Sequence, residues 1–445
     1  MSEPPPRPAP PTPHAPPLAE TAAPPAQAAV GAGAVRGCAT PTHDLAIIGG
    51  GPAGLGAALE ARRLGLRVVV LEREAEAGGI PRHCGHPPFG LREFGLPLTG
   101  PAYARRLVAA TRAAGAEIRT HTAVVAIEPG PRLVLATPHG VDAVDARRVL
   151  IATGVRETTR AGRLIGGTKP GGVMNTATLQ GLVYLNRQRP FVRPIIVGTE
   201  LVAFSAILTL RHAGIRPLAM VEPTAHVTAR WPSALLPRLL GIPLWRGTEL
   251  VAIEGTERVT GVTLRSASGT RHVATDGVVL TGGFRPEATL VRQSHLTLDP
   301  ATGGPEIDQF GRTCDPAIFA AGNMLHPVET AGWCHREGRA IAARIAESLA
   351  GALPPPEPAL RLRPADGVLY AVPQRIVPDA RTTGAIQLRA AAPVRGRVVV
   401  RTSASVRGPA VDTVPERRIL MPLATIPPDA AGEAEIAIEP DGRHR

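Results

Sequence analysis

The sequence predicts an α/β fold with two parallel-sheet units, followed by a small all-β region. Two stretches carry the α/β part. The chain runs from an apolar strand through a glycine-bearing turn into a helix and out to a second apolar strand, first from Asp44 and again from Arg193. Beyond Leu353 comes a series of short β-like runs separated by turn residues, which carries the all-β part.

Residues 1–42 are rich in proline and alanine and cannot bury enough apolar surface to order themselves, so a disordered tail is expected there. The first unit follows. Asp44-Leu-Ala-Ile-Ile enters Gly49-x-Gly51-x-x-Gly54 at the start of a helix, and a second strand, Arg67-Val-Val-Val-Leu, ends in Glu72. Each glycine has its reason: Gly49 permits the tight turn, Gly51 admits a pyrophosphate to the backbone, and Gly54 lets the helix pack on the strand. The helix N-terminus faces the phosphates, and Glu72 is placed to accept a hydrogen bond from a ribose hydroxyl. Strand, glycines, helix and acid together specify a Rossmann-like dinucleotide site.

The second unit begins at Arg193-Pro-Ile-Ile-Val-Gly198, continues through a helix from Leu201 to about His212, and returns along Pro217-Leu-Ala-Met-Val-Glu222. Its fingerprint reads Gly198-Thr-Glu200-Leu-Val-Ala203. Glu200 puts a side chain and a negative charge where a pyrophosphate needs bare backbone. The unit should keep its fold and bind NAD(P) poorly or not at all; the rival reading is that Glu200 turns outward and NAD(P)H still binds. A proline-rich break, Leu353 to Pro358, closes this part. The β-like runs after it are Ala385–Leu388, Arg397–Arg401, Arg418–Met421 and Glu435–Ile438.

Composition narrows the function. The chain has 445 residues, 44% of them hydrophobic and only 3% aromatic, so its cores are built from Ala, Val, Leu and Ile. The formal charge of +12 comes almost wholly from arginine, Lys169 being the only lysine. These arginines form no basic run and have few aromatics beside them, which argues against nucleic acid. Cys38, Cys84, Cys314 and Cys334 form no CxxC pair, so no metal or iron–sulfur site and no disulfide framework is expected. No apolar run reaches transmembrane length and no leader pattern opens the chain, so no integral membrane segment and a cytoplasmic location are expected.

Several short motifs lie between and after the two units. Val149-Leu-Ile-Ala152-Thr153-Gly154 and Val278-Val-Leu-Thr-Gly-Gly are strand ends; Thr313-Cys-Asp-Pro-Ala-Ile-Phe-Ala-Ala-Gly322-Asn323 precedes a helical segment from Thr330 to Leu349. In this order they resemble the pyridine nucleotide-disulfide oxidoreductase superfamily of two-domain flavoproteins, over residues 44 to about 350. The resemblance implies an FAD domain (44–160 and 286–352) split by an inserted NAD(P)-type domain (161–285), with a small β domain at 360–445 left outside it. It also implies FAD contacts at Gly49, Gly51, Pro52, Ala53, Gly54, Glu72, Arg73, Gly79 and Val124. The same holds for Ala152, Thr153, Gly154, Thr330 and Ala331. The Gly322-Asn323 corner would hold the ribityl chain, where the family usually has Asp, and the last helix would point its N-terminus at the flavin.

Gly78-Gly-Ile-Pro-Arg-His-Cys84-Gly-His86, Leu98–Tyr103 and Leu298–Pro305 look like a bacterial branch without a redox disulfide. Its members are subunits of dehydrogenases for amino acids, opines or glycerol 3-phosphate. Disulfide reductases carry CxxxxC here; this chain has Pro81 and His86 at those positions, which removes a dithiol relay. Cys84 stays near the expected flavin ring. Either it acts catalytically, through an adduct or as a low-pKa thiolate paired with His86, or it packs while His86 orders the loop. Cys334 and His335 are expected to be ordinary helix-surface residues.

Three functions follow. The first is an FAD-dependent dehydrogenase or dehydrogenase subunit, taking hydride from a small amine or hydroxy acid and passing electrons to a partner protein or a quinone. The second is an NAD(P)H-dependent flavoprotein reductase. The third is a non-catalytic FAD-bound assembly subunit.

Overall fold

The computed structural model describes residues 41–229, 232–377, 384–402, 405–427 and 430–441. The expected N-terminal tail lies outside the described residues except for its last two. Of these, Thr42 donates its N–H to the Asp145 carbonyl (3.2 Å).

The first sheet grows from His43–Ile48. On one side it pairs in parallel with Val68–Leu71, which pairs in turn with Glu117–Arg119; on the other it pairs with the end of Gly140–Ile151, followed by Ile318–Ala320. Both faces of this sheet are covered, so the strands read as continuous β-branched runs: Val68 to Leu71 are buried without alternation. The helix Pro52–Arg63 starts on a proline at its first turn, where the missing N–H costs nothing, and ends before Gly65 in the left-handed region (φ 82°). The helix Ala331–Leu349 lies against it. Two glycines allow the close contact: a Cβ on Gly338 would stand 1.9 Å from the Ala53 carbonyl oxygen, and one on Gly56 would stand 2.5 Å from that of His335. The long strand Gly140–Ile151 serves two sheets. Its first half closes an antiparallel meander with Ala123–Glu128 and Arg132–Thr137, and its second half enters the parallel sheet.

Between Ile151 and Ile318 the chain builds a second parallel sheet. Its order is Leu244–Arg246, Ala219–Glu222, Ile195–Val197, Val278–Leu280, Val173–Asn175. An antiparallel sheet of Thr248–Gly255, Val259–Ser266 and Gly269–Ala274 packs against it through Leu250, Ile253, Val262 and Leu264. The two strands that lead into and out of this insertion, Val155–Glu157 and Phe284–Pro286, pair with each other antiparallel. The architecture is therefore α/β with two Rossmann-like sheets, one interrupted by the other.

The C-terminal region contains more strands than the sequence suggests. Among the described residues they are Leu360–Pro364, Val368–Val372, Arg375–Ile376, Ala385–Ala390, Val394–Arg401, Ser405–Thr413, Ile419–Pro422 and Gly432–Pro440. They form a five-stranded and a three-stranded sheet around a shared core that includes Leu362, Ile386, Leu388, Val398, Met421 and Ile436. Ser405–Thr413 holds Gly408-Pro409, which hides it in the sequence; it is an edge strand, where proline is tolerated. No helix among the described residues is long and apolar enough to cross a membrane.

Candidate functional site

The turn after His43–Ile48 has the geometry its glycines imply. Gly49 sits at φ 107°, and a Cβ there would stand 2.5 Å from the Ala152 carbonyl oxygen, so the turn lies directly on the Ala152-Thr153 strand end. A Cβ on Gly54 would stand 2.0 Å from the Gly49 oxygen, which is how the helix reaches the strand. Gly51 is different: only the Gly79 Cα, 4.0 Å away, lies near its missing Cβ. Gly154, at φ 73°, likewise has nothing within 4 Å. Pro52 and Ala53 open the helix above this space. Glu72 is buried, its Oε2 accepting from the Gly50 N–H (2.9 Å) and its Oε1 from the Glu74 N–H (2.9 Å), so its carboxylate is aimed across the turn before any ligand arrives. Arg73 is exposed and sits 3.6 Å from Glu74. Val124, on the meander, packs against the core below the sheet.

Thr153 and the Gly322 corner meet at the other end of the cleft. Thr153 donates to the Glu287 carbonyl (2.9 Å) and lies 3.2 Å from the Met324 sulfur. A Cβ on Gly322 (φ 79°) would stand 2.7 Å from the Ala53 Cβ. Asn323 does not face this space alone: its Oδ1 accepts from the Glu329 N–H (2.6 Å) and its Nδ2 donates to the Glu329 carbonyl (3.2 Å), closing the loop ahead of the last helix. Glu337 has a part that no sequence signal suggests. It accepts from the Gly322 N–H (2.6 Å) and pairs with His326 (2.6 Å). Burial pushes the Glu337 carboxyl up, but the His326 charge and these hydrogen bonds outweigh it and hold the group below the usual range. Thr330 stands at the N-cap position without a side-chain capping bond, and Ala331 is the first residue of the helix. Cys334 and His335 are not on the helix surface, as the sequence leads one to expect; both are buried against Pro52–Arg63 and the Gly322 corner. Burial, with the Arg339 charge behind it, pushes the His335 imidazole down to about 4.

Of the two readings of Cys84, the thiolate pair with His86 is not formed. Cys84 is buried and donates to the Gln180 Oε1 (3.3 Å); burial pushes its thiol up to about 12, so it is a neutral donor and not a thiolate. His86 reaches the Ser205 hydroxyl (2.6 Å) and the Pro87 carbonyl (3.0 Å). Gln180 also donates to Ser205 (2.7 Å). The two residues are thus joined through a chain, Cys84–Gln180–Ser205–His86, that crosses from the loop after Gly79 into the inserted sheet's helices. His83, next to Cys84 in the same loop, has a buried Nδ1 without a hydrogen-bond partner, and burial followed by the Arg82 charge lowers its pKa. Gln180, Ser205 and His83 could not be paired from sequence: Gln180 stands 96 residues from Cys84.

At the second fingerprint the glycine-to-glutamate change has a definite outcome. Glu200 turns inward. Its Oε2 lies 3.1 Å from the Thr281 hydroxyl, which donates to it, and Cβ atoms on Gly198 or Gly282 would each stand within 2.4 Å of its carboxyl. Burial pushes this carboxyl up to about 7. Glu222 is also closed off, accepting from Thr199 Oγ1 and from the Thr224 N–H (2.9 Å) and hydroxyl (2.8 Å). Glu157 accepts from the Ala177 N–H (2.8 Å) and the Gly282 N–H (3.1 Å), and its burial holds its carboxyl above the ordinary range.

A family model described as pyridine nucleotide-disulphide oxidoreductase matches residues 43–338. The chain belongs to this family. It is 31% identical to one of the opine oxidase subunits of Rhizobium meliloti over 185 residues, 41% of this chain and 39% of that one. It is 25% identical to the alpha subunit of sarcosine oxidase from the same organism over 362 residues, 76% of this chain and 34% of that one. It is 27% identical to the HcnB subunit of hydrogen cyanide synthase from Pseudomonas aeruginosa over 336 residues, 67% of this chain and 69% of that one. The chain therefore spans well under half the length of the first two relatives. Among solved structures, T. acidophilum thioredoxin reductase superposes with a TM-score of 0.59 at 22% identity, covering 69% of this chain and 99% of that one. L-proline dehydrogenase from P. horikoshii does so with 0.51 at 21%, covering 69% and 56%. These two likenesses show the fold. The FAD that the family implies fits the first site: Gly51 and Gly154 leave open backbone there, and Glu72 is preset beside them.

Proposed function

We propose that this chain is an FAD-dependent dehydrogenase, or the flavin-bearing subunit of one. It takes a hydride from a small amine or hydroxy acid and passes the electrons to a partner protein or a quinone, not to or from NAD(P). The observation that carries this reading is the contrast between Gly51, with open space over it, and Glu200, folded into the equivalent position. The relatives' names add support, since opine and sarcosine oxidases are named for amine substrates and the matched chains are subunits.

FAD, when bound, supplies the hydride acceptor. The chain's own residues supply position and electrostatics. Gly49, Gly51 and Gly54 bring backbone N–H groups to the pyrophosphate, and Glu72 orients the ribose. The N-terminus at Thr330-Ala331 stabilises negative charge on the ring system. Neutral Cys84 and the hydroxyl–amide chain through Gln180 and Ser205 to His86 hold the loop beside the ring.

Anaerobic reduction of the purified flavoprotein tests the proposal, using sarcosine, opines, other amino acids, hydroxy acids, NADH and NADPH. Bleaching by an amine or hydroxy acid, with NADH slow, is expected. Rapid saturable reduction by micromolar NADH would replace the proposal with the reductase reading. An FAD that no donor reduces would favour the assembly role.

A further inference from the structure

The helix Leu201–His212 starts at the second fingerprint, yet Glu200, its N-cap, makes no capping hydrogen bond, since its side chain points inward to Thr281. The first helical N–H needs another acceptor. It finds one more than two hundred residues away: Leu201 N–H donates to Glu416 Oε1 at 3.0 Å. Glu416 lies on the turn between the C-terminal strands Ser405–Thr413 and Ile419–Pro422. Arg389 holds that turn by donating to the Glu416 carbonyl (3.0 Å). The same guanidinium, buried, also donates to the Val328 carbonyl (3.1 Å), pairs with Glu329 and reaches the Tyr370 hydroxyl (3.3 Å). One carboxylate and one guanidinium thus tie the β region to both dinucleotide units: to the N-terminus of the inserted unit's helix, and to the loop ahead of the last flavin-side helix.

We infer that the phosphate-binding turn of the inserted unit is a docking site for the chain's own C-terminal β region, with Glu416 standing where a pyrophosphate oxygen would take the helix N-terminus. This rests on the reading that the second site does not serve NAD(P), and it gives the β region a task. A helix N-terminus favours any anion. Glu200 excludes a dinucleotide from inside the turn; Glu416 supplies the missing negative charge from outside and, through Arg389, fixes the inserted unit against the flavin end.

Hydrogen–deuterium exchange of the FAD-loaded full-length protein, read in peptides covering residues 198–205, tests this. Glu416→Ala should raise exchange there by about two- to fivefold, the range of a single charge at a helix end, with the flavin spectrum unchanged. Glu416→Gln, which keeps an acceptor without charge, should fall between. Unchanged exchange in Glu416→Ala overturns the docking contact. The second arm uses ADP-ribose, a redox-silent probe, in a Glu200→Gly background. Adding Glu416→Ala should tighten ADP-ribose by about twofold or more, since it removes a charge that competes for the helix end. Equal affinity, or no binding in either variant, overturns the assignment of Glu416 to the pyrophosphate position. Neither readout involves flavin reduction, so either can fail while the proposed donor chemistry stands, and the reverse.

Discussion

The two dinucleotide turns of this chain share a backbone and differ in what fills them. In the first, Gly50 leaves its N–H free to orient Glu72, and Gly51 leaves a gap bounded only by Gly79. In the second, Thr199 carries a hydroxyl that bonds Glu222, and Glu200 fills the gap with its own carboxyl. One turn presents backbone to a ligand; the other satisfies itself. A parallel sheet with its helix survives this change because its stability comes from the buried faces of strands such as Ile195–Val197 and not from the turn.

The largest effect should come from making the first turn resemble the second. The Cβ that Gly51→Glu introduces has only the Gly79 Cα near it, at 4.0 Å, so the turn should persist while charge and bulk enter the pyrophosphate position. FAD affinity should fall by about a hundredfold or more, and the protein should purify colourless. A yellow Gly51→Glu protein would break the comparison. The reverse change comes next. Glu200→Gly removes a clash and a repulsion, and stopped-flow reduction should show an apparent NADH affinity at least about tenfold tighter than in the parent.

A third effect is on stability and depends on pH. The Glu200 carboxyl is held at about 7 by burial, above its ordinary value, so the native state keeps a proton that the unfolded chain releases. The parent should therefore lose stability as pH rises from about 4.5 to 7, and Glu200→Gln should not. Denaturant midpoints should show Glu200→Gln gaining about 1 to 3 kcal/mol on the parent between pH 5 and pH 8. A parallel pH dependence of the two proteins would remove Glu200 as a buried acid. The smallest effect is at Ala203. In the first turn a methyl at Gly54 would press on the Gly49 oxygen at 2.0 Å, whereas the second turn already holds the fully buried Ala203 at that position. Ala203→Gly should only cost about 1 kcal/mol in helix propensity and lost packing, with no gain in NADH binding.

Most of the scaffold is legible in the sequence, and so are the glycine turns of the candidate site; the side-chain partners within it are not. The two β-α-β units are legible because glycines with fixed duties sit at fixed distances from β-branched runs, as at Gly49 and Val68–Leu71. Glu200 is legible as a misfit in such a pattern, though only the structure gives the direction of its side chain. Four of the C-terminal strands can be read; Leu360–Pro364 is masked by neighbouring prolines and Ser405–Thr413 by Gly408-Pro409. Sequence leaves open whether Cys84 pairs with His86 or packs; the partners the two residues take, Gln180 and Ser205, come from the insertion. Cys334 and His335 are misplaced for a similar reason: helical periodicity alone does not reveal that Gly56 and Gly338 bring a second helix onto that face.

The pairing of Val155–Glu157 with Phe284–Pro286 bears on how such a chain can change over time. Residue by residue, Glu157 stands opposite Phe284 and Val155 opposite Pro286, so the insertion hangs from two adjacent strands. Its ends are already neighbours, and whatever happens inside it alters little of the loop-closure entropy of the flavin-side fold. A module hung in this way changes its turn, as at Glu200, without moving the ends from which the flavin-side sheet carries it.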